Sequence, residues 1–132
     1  MIEAGRALFR AFLEGIVISE SEFIAAADST LTAIGEALDA ALQQSDVDAD
    51  WRLDDGILEI ECEDGSKIIV NRHVPNREIW IAARSGGFHF RSKDGEWRDT
   101  RSGKALGATL AALLADQAGL TLSLPPLPAP EA

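Results

Sequence analysis

Between residues 19 and 43 the apolar positions Phe23, Ala27, Leu31, Ile34, Leu38 and Leu42 recur every three or four residues, the spacing of one face of an α-helix. Ser19 and Glu22 form an S-x-x-E capping pair ahead of this run, so the spacing predicts a helix from Ser19 to about Gln43. Asp28, Thr32, Glu36 and Asp39 fall on a different face, away from the apolar stripe. Beyond Ser45 the period changes from helical to alternating. The segments VDADWRL, ILEIEC, SKIIVNR, REIWIAAR, FHFRS and EWRDT are divided by DDG (54–56), EDG (63–65), VPN (74–76), SGG (85–87) and KDG (93–95). Alternating strands closed by short Gly, Pro and Asn turns predict an antiparallel meander. A second helical stripe, Leu106, Leu110, Leu113 and Leu114, predicts a helix over about Gly103–Gln117, with Gly119 as its C-cap.

Two amphipathic helices bracketing a meander predict an α+β fold: a two-layer α-β sandwich with both helices on one face of an antiparallel sheet. The other sheet face is then left for solvent or a partner. The folded domain is expected over residues 19–124. Residues 1–18 carry Arg6, Arg10, Glu3 and Glu14 with scattered apolar positions. They match neither a secretory signal nor an organelle presequence, and read as an accessory extension or the product of an upstream start. Residues 120–124 are expected to be extended, and the Pro-rich tail 125–132 to be disordered.

Charge sharpens the picture. The 132-residue chain has a net charge of −10, unevenly spread. Ser19–Asp64 holds 14 acids against one base, Arg52, a net of −13, whereas Gly65–Lys104 holds nine bases against four acids, a net of +5. Such polarity implies an oriented field that repels a nucleic-acid backbone and suits cations or a basic protein surface. No apolar run reaches the roughly 18 residues of a membrane span. The single cysteine, Cys62, excludes an internal disulfide and fits a reducing compartment; the cytoplasm is expected. Closing an apolar strand, Cys62 reads as a core residue rather than a nucleophile.

The candidate chemistry lies in an acidic ridge: Glu20, Glu22, Asp28, Glu36, Asp39, Asp46, Asp48 and Asp50. On a strand, Asp46, Asp48 and Asp50 all project to one side, where like charges repel. Clustered carboxylates without histidine or cysteine suit hard or borderline cations held weakly and exchangeably; the plainer alternative is a solvated face that aids solubility. An EF-hand is excluded, because its glycine and glutamate positions are Trp51 and Ile57 here. Trp80 alternates with Ile79 and Ile81 and is expected on the open sheet face as a docking anchor, unless that face is partly covered. His73 is expected in a turn and His89 at the surface, neither with partners for general-base work. No E-x-x-H occurs, so a di-iron oxidase, and intrinsic catalysis generally, is not expected.

Several stretches carry a closer likeness: SESEF (19–23), SDVD (45–48), DGSKIIVNR (64–72), Pro75 followed five residues on by Trp80, WIAARSGGFHF (80–90), DGEWRDTRSG (94–103) and QAGLTLS (117–123). In order and spacing, over about Ser19–Leu124, these resemble the frataxin family in its bacterial, CyaY-like form. The resemblance implies an iron-binding ridge on the first helix and first strand, formed by the acids named above, with iron weak and exchangeable. It implies that Asn71, Arg72 and Trp80 on the sheet contact the iron–sulfur assembly machinery, namely the cysteine desulfurase and its scaffold protein. A role as iron donor, iron-dependent regulator or both follows, with an acidic docking module and incidental metal binding as the alternative. A monomer is expected, with iron-dependent oligomerisation as the variant state. Gly35 and Ala40 stand where the family often carries further acids, and the linker Gln43–Gln44 is neutral, so the ridge is thinner here than the resemblance implies.

Overall fold

The computed structural model describes residues 18–131. The expectation for residues 1–18 therefore lies outside the described residues, except for Ile18, which packs against the core. Helix α1 spans Glu20–Gln43. Its start is fixed as the sequence implies: Ser19 is extended and its Oγ accepts from the Glu22 amide at 3.1 Å, while donating to Glu22 Oε1 at 3.0 Å. Phe23, Ala27, Leu31, Ile34 and Leu38 are buried along one stripe.

Six strands follow: β1 Asp50–Asp54, β2 Ile57–Glu61, β3 Lys67–His73, β4 Glu78–Ala83, β5 Gly86–Lys93 and β6 Glu96–Asp99; helix α2, Leu106–Ala118, closes the order. The strands form one antiparallel sheet in sequence order, the expected meander. Asp55-Gly56 and Asp94-Gly95 turn two hairpins with positive φ at both residues, 48° and 77° in the first, 53° and 77° in the second. That backbone matches the twist of the flanking strands and is why Asp-Gly is so strong a hairpin signal. Leu58, Ile60, Ile68, Val70, Ile79, Ile81, Phe90 and Trp97 present one sheet face to the helices as a single core. Trp97 meets the edge of Phe23 at 5.9 Å and donates its indole N–H to buried Thr30 at 3.1 Å, which satisfies a polar group inside the core. Cys62 is buried, as expected. No described helix is long and apolar enough to cross a membrane.

Three boundaries depart from the sequence expectation. Strand β1 begins at Asp50, not Val47. Asp50 pairs with Glu61, the last residue of β2, and beyond it the chain turns back through Cys62–Ser66, so residues 46–49 have no partner strand. They are extended but unpaired, with Asp46 and Asp48 outward and Val47 and Ala49 half-buried. Helix α2 starts three residues later than expected, at Leu106, because the preceding segment lies against β6: the Asp99 amide donates to Lys104 O at 2.8 Å and Ala105 bridges Arg98. The Pro-rich tail, expected to be disordered, is docked as far as Glu131. Pro128 bridges Glu96, the Ala129 amide donates to Gly95 O at 2.9 Å, and Ser92 Oγ donates to Pro130 O. Leu124 and Leu127 pack on the core, and Ala129 is buried; three apolar anchors and a strand-like bridge hold what composition alone reads as loose.

Candidate functional site

The ridge acids occupy two separate stretches. Glu20 and Glu22 sit in the first turn of α1, where the helix dipole favours negative charge. Glu36 lies 14 residues beyond Glu22, about 21 Å along the helix axis at 1.5 Å per residue. Near that far end the helix meets β1 through Trp51. A Cβ on Gly35 would stand 2.7 Å from the Trp51 ring, so glycine lets the indole lie against the helix. Trp51 Nε1 then donates to Asp39 at 2.8 Å. Gly35 thus seats the link between α1 and β1.

Asp46, Asp48 and Asp50 are exposed, as are Glu36 and Asp39. Among the described residues none of these five forms an ion pair. Asp28 differs from the expectation: it is paired with Arg72, whose guanidinium also reaches Asp55 at 3.3 Å. Among the described residues no three His, Cys, Asp or Glu side chains converge closely enough to cage a metal. The ridge is therefore a row of separate oxygen donors, suited to open coordination completed by water rather than to a closed site.

Two further acids of the first half, Glu59 and Asp64, are paired with bases on and around the sheet. Glu59 lies between Arg52 at 2.7 Å and Lys67 at 2.8 Å; the Lys67 hydrogen bond, against some desolvation, holds its carboxyl below the ordinary range. Asp64 accepts from the Ser66 hydroxyl and amide and from Arg84, which lower it likewise, against desolvation.

On the open face Asn71, Trp80 and His89 are cross-strand neighbours. Trp80 is not a bare anchor. Its indole is stacked on His73 on one side, ring centres 3.6 Å apart and 8° from parallel, and on His89 on the other, 4.3 Å and 15°. Its Nε1 donates to Glu78 at 2.8 Å. Glu78, only 2% exposed, also takes Arg91 through Nε and Nη2 at 3.0 and 2.6 Å. Burial pushes the Glu78 carboxyl up, but the bonds from Trp80 and Arg91 outweigh it and hold the group below its usual value. Arg72 does not share this surface. It shares the face of Ile68 and Val70 and points to the helix side, where it binds Asp28. His73 ends β3 rather than sitting in the turn, which places it beside Trp80.

The frataxin-like domain model matches residues 16–120 of the chain. The chain belongs to the frataxin family. This frataxin is 46% identical over 107 residues to the iron–sulfur cluster assembly protein CyaY of Cupriavidus metallidurans, covering 81% of this chain and 96% of the relative. It is 49% identical over 108 residues to the corresponding protein of Cupriavidus pinatubonensis, again 81% and 96%. Among solved structures it superposes on frataxin from Psychromonas ingrahamii with a TM-score of 0.67 at 29% identity, covering 80% of this chain and 97% of that one. A ferrous complex of trimeric frataxin from the yeast Saccharomyces cerevisiae gives a TM-score of 0.62 at 26% identity, covering 69% and 83%. The helix pair on a six-stranded antiparallel sheet is the fold these neighbours share.

Proposed function

We propose that this frataxin modulates iron–sulfur cluster assembly, binding ferrous iron weakly along its ridge and acting as iron donor, iron-dependent regulator of the cysteine desulfurase–scaffold complex, or both. Relatives at 46% and 49% identity are iron–sulfur cluster assembly proteins by name, and a yeast frataxin of similar fold is a ferrous complex. The observation that carries the metal half is the run Asp46, Asp48 and Asp50, exposed at alternate positions and unpaired among the described residues. Oxygen-only donors in water suit Fe²⁺ as an exchangeable cargo. The same negative surface fits a basic patch on the desulfurase, while Asn71 and Trp80 offer a second contact on the sheet. No intrinsic oxidase chemistry is part of this reading.

The absence of a converged donor group among the described residues favours a second reading, in which the acids serve docking and metal binding is incidental. Changing Asp46, Asp48 and Asp50 together to asparagine tests the first: an anaerobic Fe²⁺ titration and desulfurase binding should both weaken. Unchanged values for both sink it. Desulfurase affinity that falls with salt yet ignores Fe²⁺ supports the docking reading instead.

A further inference from the structure

The stack on the open sheet face has a feature the docking reading does not use: both faces of the Trp80 indole are covered by imidazoles. The two covers differ. His73 is part-buried, stacks at 3.6 Å, and has a buried Nδ1 with no hydrogen-bond partner among the described residues. His89 is exposed, lies directly across from Trp80 in the β4–β5 register and stacks at 4.3 Å. Solvent protons and an incoming partner therefore both reach His89 first, while His73 backs the indole from behind. The indole edge is meanwhile fixed by Glu78, so the ring stays in place when one cover leaves.

We propose that His89 is a proton-operated cover on Trp80. Neutral, it leaves the indole more readily and yields that face to a docking partner; protonated, it is held over the indole more firmly. Imidazole is the side chain whose charge changes between pH 5 and 8. An imidazolium above an indole is attracted by the negative ring face, and at an exposed site this shifts occupancy about 2- to 5-fold. The charged groups around it leave that attraction standing. On β4, Glu78 lies beneath the stack. On β5, Arg91 is neutralised by Glu78 and Lys93 lies four residues further on. On β6, Arg98 is paired with Glu96. On β3, Asn71 is neutral and His73 lies behind the indole; in the following turn Arg77 donates to Val74 O. On the side of β2 and β1 the row continues through Ile57 to Asp54.

The cover is intramolecular, but its consequence rests on Trp80 being a docking surface, so the test has two arms. In the first, the Trp80 indole N–H and His89 ring resonances are followed by NMR from pH 8 to pH 5. The ring-current shift of His89 should grow as pH falls, and the indole response should vanish in His89→Gln while persisting in His73→Gln. An indole response that survives in His89→Gln, or a His89 shift that stays flat, overturns the cover. In the second, affinity for the desulfurase–scaffold complex is measured at pH 7.5 and 5.5. It should fall about 2- to 5-fold more in the wild type than in His89→Gln, and an equal fall in both overturns the cover as a control on docking. Loss of docking at both pH values in the wild type removes the docking reading of Trp80, with the cover itself then decided by the NMR arm.

Discussion

Two groups of acids in this chain have the same side chains and opposite surroundings. Glu59, Asp64 and Glu78, on the sheet and its turns, each meet a base: Arg52 and Lys67, Arg84, and Arg91. Those at the far end of α1 and on the run behind it, Glu36, Asp39, Asp46, Asp48 and Asp50, meet none among the described residues. Topology makes the difference. A meander brings each strand against a neighbour, and the neighbours of β2 and β4 carry the bases. Residues 46–49 lie beyond the reach of β2 and have no neighbour strand. The fold thus gives Glu59, Asp64 and Glu78 a base each and leaves the far end of α1 and the run after it without one among the described residues.

The largest expected effect comes from breaking the most enclosed pair. Glu78→Ala removes an acceptor of charge-assisted bonds and frees both Trp80 and Arg91; it should cost about 1.5–3 kcal/mol in urea unfolding. The same carboxyl has a pH signature. Because its folded-state value lies below the ordinary 4.5, its stabilisation is complete above about that pH and is lost as pH falls through the folded value. Glu78→Gln should therefore flatten the stability curve below about pH 4.5 and leave its shape near neutrality unchanged. An undiminished acid slope in that variant would place the titration elsewhere.

Arg72→Ala sits between the two populations. It releases Asp28 to the ridge and removes the strut from Asp28 to Asp55 over Gly56, where a Cβ would stand 2.6 Å from Arg72 Nε. A part-exposed pair of this kind is worth about 0.2–1 kcal/mol, and the freed Asp28 should strengthen ridge binding of divalent cations. Unaltered stability together with unaltered Ca²⁺ or Fe²⁺ affinity would show that Asp28 was never masked. The smallest effect belongs to the ridge itself: the Asp46, Asp48 and Asp50 triple asparagine variant should be as stable as the wild type or a few tenths of a kcal/mol more stable at low salt. Added salt should raise the melting temperature of the wild type more than that of the variant. A destabilised variant would mean that these carboxylates have partners after all.

Much of the fold is legible in the pattern. Apolar spacing marks both helices, and the Asp-Gly turns at 55–56 and 94–95 mark two of the hairpins. What escapes is set by neighbours distant in sequence. The start of β1 depends on where β2 ends, and the start of α2 on a bridge to Arg98. The tail is ordered by Gly95, Glu96 and Ser92, some 35 residues earlier, as in the 38-residue separation of Ser92 and Pro130. At the site, alternation alone puts Arg72 with Ile68 and Val70 rather than with Trp80, a signal present in the sequence but overridden by the motif NR. The histidine stack could also have been counted out from the turns, since the Val74–Arg77 and Arg84–Ser85 connections fix His73 and His89 on either side of Trp80. The pairing of Asp28 with Arg72, 44 residues away, carries no local sign.

The division between paired and unpaired acids is tested most directly by residue-resolved NMR during an anaerobic Fe²⁺ titration. Line broadening should begin at Asp46, Asp48, Asp50, Glu36 and Asp39, with the Trp51 indole N–H following through Asp39, while Glu59, Asp64 and Glu78 stay sharp until the ridge is saturated. Broadening that starts at the ion-paired acids of the sheet, or at His73 and His89, would contradict it.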